Sequence, residues 1–129
     1  MIYLLCWYTN RIAKATRSKG EKTTMPYLFT HFKEKITPDG EQVYISVSRD
    51  GFNWEQLNGG LPILTAEKGF KGCRDIEIVR THFGFVILTT DECIANRYDE
   101  NYNVDWKIVN RTGSKCLRMW KTPDLINFS

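Results

Sequence analysis

The sequence predicts an all-β chain of antiparallel sheets, on three observations. Val43, Ile45 and Val47 alternate strictly with Tyr44, Ser46 and Ser48, the two-residue period of a strand with one buried face. Turn signals rich in Gly, Pro, Asp and Asn recur between the apolar runs. A seven-residue pattern at the end of one apolar run returns at the end of another.

The elements follow in order. Residues 1–24 are unlike the rest: an apolar start, MIYLLCWY, leads into the basic, polar stretch TNRIAKATRSKGEKTT. They read as an N-terminal extension, poorly structured or forming a short amphipathic helix. The domain proper spans 25–129. Tyr27–Phe32 is an aromatic-rich strand, and Pro38-Asp39-Gly40 a turn in which Pro fixes φ and Gly accepts φ > 0. Val43–Ser48 is the next strand, closed by the turn Arg49–Phe52 and Trp54 into a hairpin. Asn58–Pro62 is a loop, and Lys68–Cys73 approaches an alternating strand over Asp75–Arg80. Phe83–Thr90 is continuously apolar and suits burial on both faces. A long polar connection over 91–113 precedes a strand at Lys115–Trp120, and Pro123-Asp124 turns into the final residues.

The repeated pattern pairs Ser48-Arg-Asp-Gly-Phe-Asn-Trp54 with Thr122-Pro-Asp-Leu-Ile-Asn-Phe128. Each is hydroxyl-x-Asp-x-x-Asn-aromatic and each leaves a strand. The Asp can bond the turn backbone and the aromatic can fold back over the strand. Two such turns suggest stacked sheets of equivalent design, as in a β-propeller.

Composition narrows the function classes. With 42% hydrophobic and 13% aromatic residues among 129, the chain can bury a core, which excludes general disorder. The net charge is +3, and most of it comes from the N-terminal stretch, where Arg11, Lys14, Arg17, Lys19 and Lys22 stand against only Glu21. Residues 25–129 carry no basic stripe, so a nucleic-acid partner is not expected. Cys6, Cys73, Cys93 and Cys116 form no CxxC pair and have no His at zinc-site spacing. They read as reduced, mostly buried thiols, with no metal site and no cofactor. No apolar run reaches the roughly 18 residues of a membrane span. No positive segment precedes Met1–Tyr8 as in a signal peptide, so the expected location is cytoplasmic.

Five stretches carry a resemblance: MPYLFTHF, DGEQVYISVSRDGFNWEQLNGGLPIL, KGCRDIEIVR, FVILTTD and GSKCLRMWKTPDLINFS. Over residues 25–129 the chain resembles the arabinosidase and β-xylosidase branch of glycoside hydrolase family 43. Similar strings there carry a strand, an S-x-D-G-x-x-W turn, a G-x-R-D-P strand start and a W-E-S-x-D-L-V-N-W blade exit. The resemblance implies about two blades of a five-bladed β-propeller and an oligosaccharide or polysaccharide substrate. It also implies paired carboxylates, roughly 6.5–9.5 Å apart in an inverting enzyme.

By position, Asp75 corresponds to the general base that activates water. Asp91, at a strand end like an equivalent Asp of similar sequences, and Arg74 are candidate substrate-binding residues. Two departures stand out: Ile76 replaces the Pro that follows the base, and Lys121 replaces the Glu of W-E-S. At roughly 50–70 residues per blade, the expected chain is a partial glycosidase whose general acid lies on other blades. It would be weak or inactive alone, with open sheet edges available for self-association. A non-catalytic carbohydrate-binding or interaction module is the competing expectation.

Overall fold

The computed structural model describes residues 2–4 and 27–129. Among these, seven strands run in chain order: β1 (Ile2–Leu4), β2 (Tyr27–His31), β3 (Tyr44–Ser48), β4 (Trp54–Gln56), β5 (Arg74–Thr81), β6 (Gly84–Thr90) and β7 (Leu117–Thr122). They form two antiparallel sheets, β1-β2-β3-β4 and β5-β6-β7, in which every strand pairs only with chain neighbours. The chain is therefore all-β and antiparallel, as its periodicity predicts. Ile2–Leu4 is the described part of the expected N-terminal extension, and its backbone pairs with Tyr27–Phe29 as an edge strand. The rest of the expectation for residues 1–24, and that for Cys6, lies outside the described residues.

The two turns share the bonds of their hydroxyl, Asp and Asn side chains. The Ser48 hydroxyl accepts the amides of Asp50 (3.3 Å) and Gly51 (2.8 Å), and the Thr122 hydroxyl those of Asp124 (3.3 Å) and Leu125 (2.8 Å). Asp50 Oδ1 accepts the amides of Phe52 and Asn53, and Asp124 Oδ1 those of Ile126 and Asn127. The Asn side chains close each turn, at 2.7 and 2.8 Å from the other carboxylate oxygen. Each turn needs one left-handed residue, at φ 79° for Gly51 and φ 60° for Leu125. Leu125 accepts the steric cost of that conformation because its side chain is buried in the core.

Aligning the turns aligns both sheets. Leu28 faces Val47 and Thr30 faces Ile45 across β2 and β3; Val86 faces Lys121 and Leu88 faces Met119 across β6 and β7. Beyond β7, Lys121 and Ser129 exchange both backbone hydrogen bonds, at 2.9 and 3.0 Å. This matches the pairing of Val47 with Glu55 between β3 and β4. The two sheets are thus copies of one meander.

The core lies between them, where Leu28, Val43 and Ile45 of the first sheet meet Ile76, Ile78, Phe85 and Ile87 of the second. Burying each such aliphatic side chain stabilises the fold by about 1.5–3 kcal/mol. Burial in β6 alternates, contrary to the expectation for its apolar run: Phe85, Ile87 and Thr89 are buried while Val86, Leu88 and Thr90 are only partly covered. The reason is that a described sheet covers one face of β6 only. The last strand also lies two residues later than expected, at Leu117–Thr122.

The connection over 91–113 is more structured than its polarity suggests. It holds a 3-10 turn at Ile94–Arg97 and the helix α1 (Trp106–Thr112). The Asp105 carboxylate caps α1 by accepting the amides of Lys107 and Ile108. Cys73 and Cys93 are buried free thiols, and Cys116 is exposed.

Candidate functional site

The start of β5 is irregular. Arg74 pairs with Thr90 and Glu77 with Leu88, so Asp75 and Ile76 together oppose Thr89 as a β-bulge. Asp75 takes φ 49°, a left-handed conformation that Asp tolerates better than most residues. Ile76, in the place of the resembling family's Pro, is buried and pins the bulge to the core. The bulge turns the Asp75 carboxylate outward, exposed, where Oδ2 accepts the Thr90 hydroxyl at 3.1 Å. Bulges of this kind re-aim a side chain and are over-represented next to active sites.

Arg74 points elsewhere. Its guanidinium donates to Glu34 at 2.8 Å, contacts Glu41 at 3.3 Å and stacks over the Phe32 ring at 4.6 Å. Glu41 is buried and also accepts the amides of Ile94 (2.7 Å) and Ala95 (2.9 Å). Arg74 therefore belongs to a clamp that ties the first sheet to the 91–113 connection. It pairs with these two glutamates rather than with Asp75.

Asp91 follows Thr90 but is directed into the protein. Its Oδ1 accepts the Phe70 amide at 3.0 Å and the Arg118 guanidinium at 2.5 Å. Arg118 also donates to the carbonyls of Lys68 and Gly72. Burial alone would raise the Asp91 pKa. The hydrogen bonds from Arg118, Ser114 and the Phe70 amide outweigh it and hold the carboxyl below its ordinary value. Gly69 (φ 63°) passes so close that any Cβ would overlap the Asp91 carboxylate. The sequence-derived residues thus divide: Asp75 is exposed, whereas Arg74 and Asp91 are engaged by protein groups.

Sequence reasoning missed Glu41 and Gln42. Gln42 Oε1 accepts the Ala66 amide at 2.7 Å and its Nε2 donates to the Lys71 carbonyl at 2.8 Å. Both residues are buried next to a strand, where polar side chains give no periodic signal of burial. A cleft of about 330 Å³ opens beside them, with Thr65, Lys71, Cys93 and Asn96 among its walls and Asp75 not among them. The cleft and the bulge are separate features: Asp75 lies outside the cleft, and the polar groups of Glu41 and Gln42 beside it are already engaged by protein groups. Among the described residues, no three His, Cys, Asp or Glu side chains gather as metal ligands would. No helix among them is long and apolar enough to cross a membrane.

Two copied antiparallel meanders, with an exposed carboxylate on a bulge where the second begins, define a repeat-built β protein. Residues 23–129 match the model of a glycosyl hydrolase 43-related family described as a probable glycosyl hydrolase domain, and the chain belongs to that family. No curated protein and no solved structure matches it.

Proposed function

We propose that the two meanders are blades of a five-bladed propeller glycosidase acting on arabinose- or xylose-containing glycans, with Asp75 in the place of the general base. The observation that carries this reading is the bulge. It holds an ionisable, exposed carboxylate in a strained conformation at a strand start, where geometry of this kind positions reacting groups.

A base needs an acid of raised pKa to protonate the leaving oxygen. Asp91 is shifted the wrong way for that role, and Glu34 and Glu41 are paired with Arg74. The two meanders therefore supply the water-activating half of the site, and hydrolysis by this chain alone is weak or absent. A second reading, a glycan-binding module without catalysis, is favoured by one observation. Lys121, in the place of the resembling family's Glu, has its ammonium 5.9 Å from the Phe83 ring centroid and offers no carboxylate.

Release of p-nitrophenol from aryl arabinosides and xylosides, together with calorimetric titration of arabino- and xylo-oligosaccharides, tests both readings. The expected result is no turnover above the buffer rate, with weak glycan binding reduced by Asp75→Ala. Robust turnover abolished by Asp75→Asn would overturn the half-site reading, and absence of any glycan binding would overturn the carbohydrate role.

A further inference from the structure

We propose that the outward face of the second sheet binds a second copy of this chain head to tail, repeating the contact that joins the two sheets within one copy. The inference stands on the repeat; it rests on the stacked-blade part of the proposed reading and not on whether the chain hydrolyses glycans.

Positions matched through the two turns have opposite fates. Val43 is 0% and Ile45 1% exposed in the first sheet, while their counterparts Leu117 and Met119 are 69% and 55% exposed. Leu28 is buried, and its counterpart Val86 is only partly covered. Val79 of β5, which pairs with Val86, is 48% exposed. Exposed aliphatic side chains grouped in this way, with Glu77 opposite Leu88 and Lys121 opposite Val86 beside them, mark association surfaces. In the first sheet the matching face is covered by Ile76, Ile78, Phe85 and Ile87 of the second.

The chain also carries the counterpart of that covering face. By the same alignment Phe85 corresponds to Tyr27, Ile87 to Phe29 and Phe128 to Trp54. Tyr27, Phe29 and Trp54 lie on the face of the first sheet turned away from Leu28 and Ile45, and each is partly exposed. Phe29 stacks on His31 at 5.2 Å and meets Trp54 edge-on at 5.8 Å, so this face is aromatic and ordered. One copy thus offers an aliphatic face at one end of its sheet stack and an aromatic face at the other. Joining them across copies extends the internal stacking. Because the two surfaces differ, the contact is heterologous and propagates beyond a dimer.

Sedimentation equilibrium of the 129-residue chain over a wide concentration range tests this. The expected result is a mass that rises past the dimer. Met119→Asp, on the exposed face, should weaken association about tenfold or more, because it places an unpaired carboxylate in an apolar contact. Phe29→Arg should do the same from the other end; Tyr27→Arg replaces it if near-ultraviolet circular dichroism shows Phe29→Arg unfolded. An equimolar mixture of the two variants retains one intact face of each kind and should form a dimer that grows no further. A monomeric wild type, association indifferent to Met119→Asp, or a mixture that stays monomeric would each overturn the proposal.

Discussion

The Glu41 carboxylate and the Ile94 amide, 53 residues apart in the chain, meet at 2.7 Å in the protein interior. Glu41 takes the Ala95 amide and the Arg74 guanidinium as well, so one buried side chain joins the first sheet, the start of β5 and the 3-10 turn. Replacing it by Ala strands two amides and leaves Arg74 with Glu34 as its remaining carboxylate partner. Glu41→Ala should lower the unfolding free energy by about 3 kcal/mol, and Glu41→Gln, which keeps one acceptor oxygen, by about half as much. Urea denaturation checks both.

The two exit turns make a paired prediction. Ser48→Ala and Thr122→Val each remove a buried hydroxyl that accepts two amides, and the latter keeps the shape of its side chain. Each should cost about 1–2 kcal/mol. The sites share no partner, so the double variant should lose their sum to within about 0.5 kcal/mol.

Acid should destabilise the chain in two steps. Burial lowers the pKa of His31, whose ring is stacked against Phe29 and Tyr44 with Nε2 3.1 Å from the Ser46 hydroxyl. The unfolded chain then takes up that proton first, and stability falls as the pH drops below about 6.5. The Asn53 amide for Asp50, and the Asn127 amide for Asp124, lead the hydrogen bonds that hold these carboxyls below the ordinary range. Their contribution is complete above about pH 4 and is lost as the pH falls from there through the lowered folded-state values. Chemical denaturation at a series of pH values should show both steps, and His31→Gln should remove only the first.

Asp75 offers a test in the opposite direction. At φ 49° a glycine is unstrained, so Asp75→Gly should raise the unfolding free energy by about 0.5–1 kcal/mol despite losing the Thr90 hydrogen bond. The same substitution should reduce glycan binding in the calorimetric titration. Stability gained together with binding lost would identify a side chain held for function at a structural cost.

The sheets were legible in the sequence because strand periodicity and turn chemistry are local. The alternation around Ile45 was enough to place β3, and the match of Asp50 with Asp124 related it to β7, although β7 lies two residues later than expected. Helix α1 was legible too, had Asp105 been read as a cap before Trp106. The site was less so. That Asp75 would sit on a bulge depends on which residue of β6 faces it, and that Asp91 would be engaged depends on Arg118, 27 residues away. Pairings at that distance leave no periodic trace, and the burial of Glu41 is invisible for the same reason.

Because each described strand pairs only with its neighbour in the chain, the order of synthesis is also an order of assembly. The first meander can close as soon as Gln56 has emerged from the ribosome, since all its strands then exist. Its Leu28 and Ile45 stay wet until Ile76–Ile87 follow and cover them. During that interval the nascent chain displays bare apolar surface, the condition under which chaperones engage and aggregation begins. Slowing translation between Gln56 and Ile87 would lengthen that interval without changing a single residue of the finished protein.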